Sequence, residues 1–269
     1  NVVGNAIKNE VIDPVVDVAE DINNAANPFY KNGDGGNDNF TIHGAGVANG
    51  NGGNDTLKDY ALYVELNGGS GNDKLYAYSA HAELNGGSGD DYIEGNSASN
   101  KIDGGSGNDT IRANGAYNNV KGGDGNDNIQ TRGGYNDVNG GDGNDTMEAY
   151  GGANEIHGGN GNDNIKAWGG VNVIEAGSGN DTVNLVKGEL TANLGEGDNH
   201  VTSGAGDDTI ITGSGEDIVH AGDGNNTLIL GDGDNTVNTL IVENAFLSSF
   251  GQTTVVTGSG SDLFRIGAG

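Results

Sequence analysis

The chain has 269 residues, 53 of them glycine and 2 proline, with a formal net charge of −28 from 11 Lys and Arg against 39 Asp and Glu. That balance excludes nucleic acid as a partner and disfavours an anionic membrane surface unless the acid is first neutralised. The absence of cysteine excludes disulfide staples and thiolate metal sites, and no apolar run approaches the ~18 residues of a transmembrane helix.

Residues 1–32 differ from the rest. Asp13 followed by Pro14 is a helix start, a capping carboxylate before proline at the first helical position. Val15, Val18, Ile22 and Ala26 share one helical face, so a short helix over roughly residues 14–25 is expected to cap the first coil of a stack that begins near Gly33. No signal peptide opens the chain. It begins at Asn1 without an initiator Met and ends at Gly269 just after a repeat, and it reads as a piece of a larger protein.

From Gly33 the chain repeats the unit G-G-x-G-N-D-x-U-x, where U is a large aliphatic. The first copy, with Asp38 in the aspartate place, is one residue out of phase. Thereafter Asp55, Asp73, Asp91, Asp109, Asp127, Asp145, Asp163 and Asp181 recur at a step of eighteen, each followed two places on by an apolar residue such as Leu57, Ile111 or Val183. Composition alone would suit a disordered chain, but disorder does not hold aliphatics in register. Between these turns lies a second nonapeptide in which Asn100, Asn118, Asn136, Asn154 and Asn172 replace the aspartate. The full unit is eighteen residues: two short strands and two glycine turns per coil, each coil pairing in parallel with the next at ~4.8 Å. Alternation puts Ile111, Ala113, Val120 and Gly122 inward, and leaves Arg112, Gln130, Glu148 and Lys166 on a mixed outward face. The expected fold is all-β, a parallel β-roll or β-helix solenoid. The regular run covers 33–198.

Residues 199–269 continue it less regularly. Asn199, Asp208, Asp217, Asn226 and Asn235 stand nine apart in the sixth position, and 239–256 lose the turn glycines while keeping the nonapeptide phase to Asp262. That apolar stretch is either a degenerate coil or a contact patch.

Stacked coils place aspartates ~4.8 Å apart. At that distance two charges repel by roughly 3–4 kcal/mol at an effective dielectric of 20, and a core one or two side chains thick does not offset this over many coils. A hard divalent cation does. Calcium accepts six to eight carboxylate and carbonyl oxygens in flexible geometry, whereas magnesium demands tight octahedra. Zinc prefers His or Cys, and His43, His81, His157, His200 and His220 do not cluster in the repeat; they are expected at the surface. Tyr117 and Tyr135 fall one coil apart and are expected to pack on each other, with Trp168 an outward or turn residue without special role. Phosphate binding by the glycine turns is disfavoured by the charge. No H-E-x-x-H, nucleophile elbow or Cys–His pair is present, so no catalytic site is read.

These turns, as in Gly104-Gly105-Ser106-Gly107-Asn108-Asp109, resemble the calcium-binding nonapeptides of RTX (repeats-in-toxin) proteins. The resemblance covers residues 33–262, and the alternating G-x-x-N-x-V and G-D-G-N-D halves are most similar to the eighteen-residue repeats of multifunctional autoprocessing RTX toxins. It implies a β-roll in which calcium sits between turns eighteen residues apart, held by sixth-position aspartates and turn carbonyls. Carried onto this chain, the ligands are Asp38, Asp55, Asp73, Asp91, Asp109, Asp127, Asp145, Asp163, Asp181 and Asp217. The turn carbonyls are those of Gly68 and Ser70, Gly86 and Ser88, Gly104 and Ser106, Gly122 and Asp124, Gly140 and Asp142, and Gly158 and Asn160. About 7 ions would fill the regular run, one per gap. Simple rolls carry Asp at both turns. Here the second edge carries Asn, so one row of calcium and one uncharged asparagine ladder are expected. The implied role is a calcium-dependent folding and export module of a large secreted toxin, partnered by calcium, by other domains of the parent protein and by a host membrane. A rigid spacer of an extracellular adhesin and an accessory module of a secreted enzyme are the other readings that stand.

Overall fold

A computed structural model describes residues 29–238, 254–256 and 263–265. The described residues form 22 strands in one continuous sheet, and every strand pairs in parallel with the strand one coil on. The register repeats the sequence period. Ile93 faces Ile111, Ile111 faces Ile129, Ile129 faces Met147, and Met147 faces Ile165. No helix occurs among the described residues. The helix expected over 14–25 lies outside them, and Phe29–Asn32, at the end of the expected cap segment, is a strand paired to Gly46–Gly52.

Two rows of aliphatics face each other inside the coil. Leu57, Leu75, Ile93, Ile111, Ile129, Met147 and Ile165 line one wall, and Leu66, Leu84, Ile102, Val120, Val138, Ile156 and Ile174 the other, all buried. Each contributes on the order of 2 kcal/mol by leaving water, and each touches the like residue above and below. Coils can approach this closely only because the turns lack side chains. A Cβ at Gly105, where φ is +110°, would collide with the Gly87 carbonyl one coil away.

The period is interrupted in three places. The first coil steps by seventeen, with Asn39 opposite Thr56, as the phase of Asp38 requires. Between Ala167 and Val171 the register slips, and Trp168 faces Lys187. Near the C-terminal end Thr227 pairs with Thr254 and Thr236 with Leu263, a step of three nonapeptides instead of two that keeps the nonapeptide phase. Residues 239–253 lie outside the described residues.

Side chains off the core follow the coil spacing. Tyr117 and Tyr135 are buried and stacked, with centroids 5.4 Å apart, as expected for packing. Trp168 does more than face outward: it stacks on Tyr150 at 4.2 Å, with Lys166 Nζ 4.9 Å from its ring centre. The expectation that the histidines are surface residues fails at His81. It is buried because it shares a column with Tyr63, Ser99 and Tyr117 inside the turn, and it stacks on Tyr63. Burial lowers its pKa below the usual histidine value.

Candidate metal-binding edge

The roll has two turn edges, and the residue in the sixth position of each turn sets their chemistry. Along one edge stand Asp38, Asp55, Asp73, Asp91, Asp109, Asp127, Asp145, Asp163 and Asp181. From Asp55 to Asp181 all are buried, and Asp38, in the first coil, is half-buried. Alternation points each carboxyl into the turn, and Oδ1 has a fixed task. It accepts the backbone N–H of the aspartate one coil earlier: Asp55 N–H donates to Asp73 at 2.7 Å, Asp91 to Asp109 at 2.8 Å, and Asp163 to Asp181 at 2.8 Å.

Oδ2 has no such partner. From Asp55 to Asp181 every Oδ2 is buried and meets no donor. It points over the first glycine of its own turn toward the carbonyl of the corresponding glycine in the next coil. A Cβ at Gly104 would lie 2.5 Å from the Gly122 carbonyl and closer still to Asp109 Oδ2. The same cradle forms at Gly68, Gly86, Gly122 and Gly140, and at Gly158 the carbonyl belongs to Ala176. Two acceptors therefore face one small space with no proton between them. Burial drives the carboxyl pKa values up, to about 7 for Asp91, Asp109 and Asp127 and about 6 for Asp145, Asp163 and Asp181; the backbone N–H bond and, in several, neighbouring aspartates act as smaller influences.

The third-position residues are placed differently from the first-position glycines. The side chains of Ser70, Ser88, Asp124, Asp142 and Asn160 are exposed. The carbonyls of Ser88, Ser106, Asp124, Asp142 and Asn160 each accept a backbone N–H, from Gly71, Gly89, Gly107, Gly125 and Gly143, at 2.7–2.8 Å. They retain one lone pair each for any further contact.

On the opposite edge the asparagines satisfy one another. Asn100 Nδ2 donates to Asn118 Oδ1 at 2.8 Å, and the chain of bonds continues through Asn136 and Asn154 to Asn172. The amides of Asn100, Asn118, Asn136 and Asn154 each also donate to a backbone carbonyl fourteen residues on, as Asn118 does to Arg132 and Asn136 to Tyr150. Asn172 closes the ladder on the Glu189 carbonyl, because the next place is Leu190.

Three features go beyond the site residues expected from the sequence. The fifth-position residues form an exposed ladder of their own, with Asn126 N–H donating to Asn108 Oδ1 and Asn144 N–H to Asn126 Oδ1. Asp208, a sixth-position residue not expected to be a site, lies on the asparagine edge, buried, with an orphaned Oδ2. Counting by nines from Asp181 locates it there. Asp217 returns to the aspartate edge with an orphaned Oδ2 of its own. Asp59 is an inward-facing carboxylate where the next coils have Ala77 and Gly95, and burial lifts its pKa to about 6.

Among the described residues no three His, Asp or Glu converge on one point. Any cation on the aspartate edge must draw its ligands from two carboxylates and from carbonyls. That all-oxygen, glycine-lined donor set fits calcium and not zinc.

A sequence model of the RTX calcium-binding nonapeptide repeat matches residues 65–80, 83–111, 113–147, 121–156, 148–183, 193–228 and 212–239, more than half of the chain. No individual curated protein and no solved structure matches it.

Proposed function

The chain belongs to the RTX calcium-binding nonapeptide repeat family, and on that premise we propose that it is the calcium-dependent folding module of a large secreted bacterial toxin. The roll itself is a structural calcium-binding repeat and not a catalytic fold. The observation that carries the proposal is the contrast between its edges: the asparagine ladder satisfies itself, while the aspartate column leaves a buried acceptor in every coil. Unpaired buried carboxylates cost several kcal/mol each unless something positive meets them.

Asp55, Asp73, Asp91, Asp109, Asp127, Asp145, Asp163 and Asp181, with Asp217 beyond them, would hold the ions through Oδ2; Asp38, at the N-terminal end of the column, would join them although its Oδ2 also accepts the Asp34 N–H at 3.0 Å. The carbonyls of Gly68, Gly86, Gly104, Gly122, Gly140 and Gly158 would complete the set, together with those of Ser70, Ser88, Ser106, Asp124, Asp142 and Asn160. Calcium supplies the positive charge that lets neighbouring turns share a gap. Oδ1 keeps its backbone bond throughout and sets the coil spacing.

The consequence is linkage between metal and folding. At low cytosolic calcium the −28 chain repels itself and stays extended, a state suited to passage through a type I secretion channel. Outside the cell, millimolar calcium matches the ~10⁻⁴–10⁻³ M affinities of extracellular modules, and the roll forms. The folded repeat then presents the effector domains of its parent protein, and helps carry them across a host membrane. Secretion of the parent protein into media with and without calcium tests this role. Protease-resistant repeats are expected only in the calcium-containing medium. Resistant repeats already inside the producing cell would contradict the role.

A further inference from the structure

The sixth-position columns change character at Asp181. Up to that point one edge carries aspartate in every coil. Beyond it the same edge reads Asp181, Asn199, Asp217, Asn235, and the other reads Leu190, Asp208, Asn226. Each coil still contains one carboxylate, as Asp109 with Asn118 does in the regular run, but the carboxylates now alternate between edges. Within a column they stand two coils apart, about 9.6 Å instead of ~4.8 Å, and each gap has one carboxylate in place of two.

The asparagines also seal their own turns. Oδ1 keeps the task it has in aspartate, accepting the N–H of Asp181 at Asn199, of Asp208 at Asn226 and of Asp217 at Asn235. The other atom is now a donor. Asn199 Nδ2 donates to the Gly197 carbonyl at 3.0 Å, Asn226 Nδ2 to Gly222 at 3.0 Å, and Asn235 Nδ2 to Gly231 and Gly233 at 3.1 and 3.2 Å. An amide hydrogen thus occupies the place that is an orphaned acceptor at Asp109.

We propose, resting on the calcium reading above, that the chain contains two classes of coil with different calcium demand: a calcium-demanding run at 55–181 and a calcium-lean section at 199–238. In the lean section the Asn199, Asn226 and Asn235 turns are closed by their amides, orphaned Oδ2 atoms remain only at Asp208 and Asp217, and these staggered carboxylates repel one another less, so it rolls at calcium levels that leave the run open. Its own gaps, with a single carboxylate each, hold calcium more weakly.

Hydrogen exchange of the whole chain, followed peptide by peptide through a calcium titration, tests this. Protection of 199–238 is expected at a calcium concentration lower than that for 55–181 by about threefold or more, as halved repulsion implies. A shared midpoint, or protection of the run first, overturns the proposal. No calcium-driven protection anywhere would instead defeat the calcium reading itself. The pair Asn199→Asp and Asn235→Asp restores an unbroken column and is expected to raise the midpoint of 199–238 to that of the run; an unchanged midpoint in a variant that still rolls also overturns the proposal.

Discussion

Asp109 Oδ1 accepts the backbone N–H of Asp91 at 2.8 Å, while Asp109 Oδ2, equally buried, meets no donor. One carboxyl thus performs two separate jobs. The first is structural and is shared by Asn199, Asn226 and Asn235. The second is electrostatic and belongs to aspartate alone.

Asp109→Asn should separate the two. The amide keeps the Oδ1 bond and places a donor where Oδ2 was, so the coil still forms. The gaps shared with Asp91 and Asp127 each lose a carboxylate, and calcium there should weaken by about tenfold. Calorimetric titration would register one or two fewer ions at moderate calcium, with the remaining sites unchanged.

Gly104→Ala tests the cradle. Its φ, unlike the +110° of Gly105, suits a side chain, but the new methyl would stand between Asp109 Oδ2 and the Gly122 carbonyl, 2.5 Å from the latter, so some stability is lost with the cradle. Ion uptake at that gap should be lost, and the count from titration should fall. Gly105→Ala should act differently, destabilising the roll by about 1–3 kcal/mol through strain and the clash with Gly87.

Asn136→Ala should leave the calcium count intact and cost stability. It removes the bonds to Asn154 Oδ1 and the Tyr150 carbonyl and leaves Asn118 Nδ2 without its side-chain acceptor. A loss of about 3 kcal/mol is expected, read as a lower denaturant midpoint in saturating calcium.

Acid should partly replace calcium. Asp91, Asp109 and Asp127 are held near 7 and Asp145, Asp163 and Asp181 near 6, above the ordinary 3.8. With pKa values raised on folding, the calcium-free roll binds more protons than the unfolded chain between about pH 4 and 7. Its stability therefore grows as pH falls through that window and is lost as pH rises through the folded values. Circular dichroism in chelator should gain β signal from pH 8 to pH 4.5, while calcium affinity falls over the same range as protons compete for Oδ2.

Much of the fold is legible in the sequence because a coil is a period. The pairing of Ile111 with Ile129 and the asparagine ladder through Asn136 stem from a step of eighteen and two faces per strand. The rest depends on distances that spacing does not encode. The acceptor role of Asn108 needs the direction of a side chain within a turn. The burial of His81 depends on its neighbours Tyr63 and Ser99 in a column that further on holds Tyr, Ala and Val. The offset that pairs Thr227 with Thr254 keeps the nonapeptide phase, so the loss of turn glycines after 239 marks the irregularity without giving the pairing.

The most direct measurement is a calcium titration of the whole chain, with bound ions counted by calorimetry and strand content followed by circular dichroism. β structure should appear only as ions bind, at about one ion per aspartate gap in the regular run, and should vanish in chelator at pH 7.5. A chain fully β-structured in chelator at that pH, or one that takes up no calcium, would contradict the account.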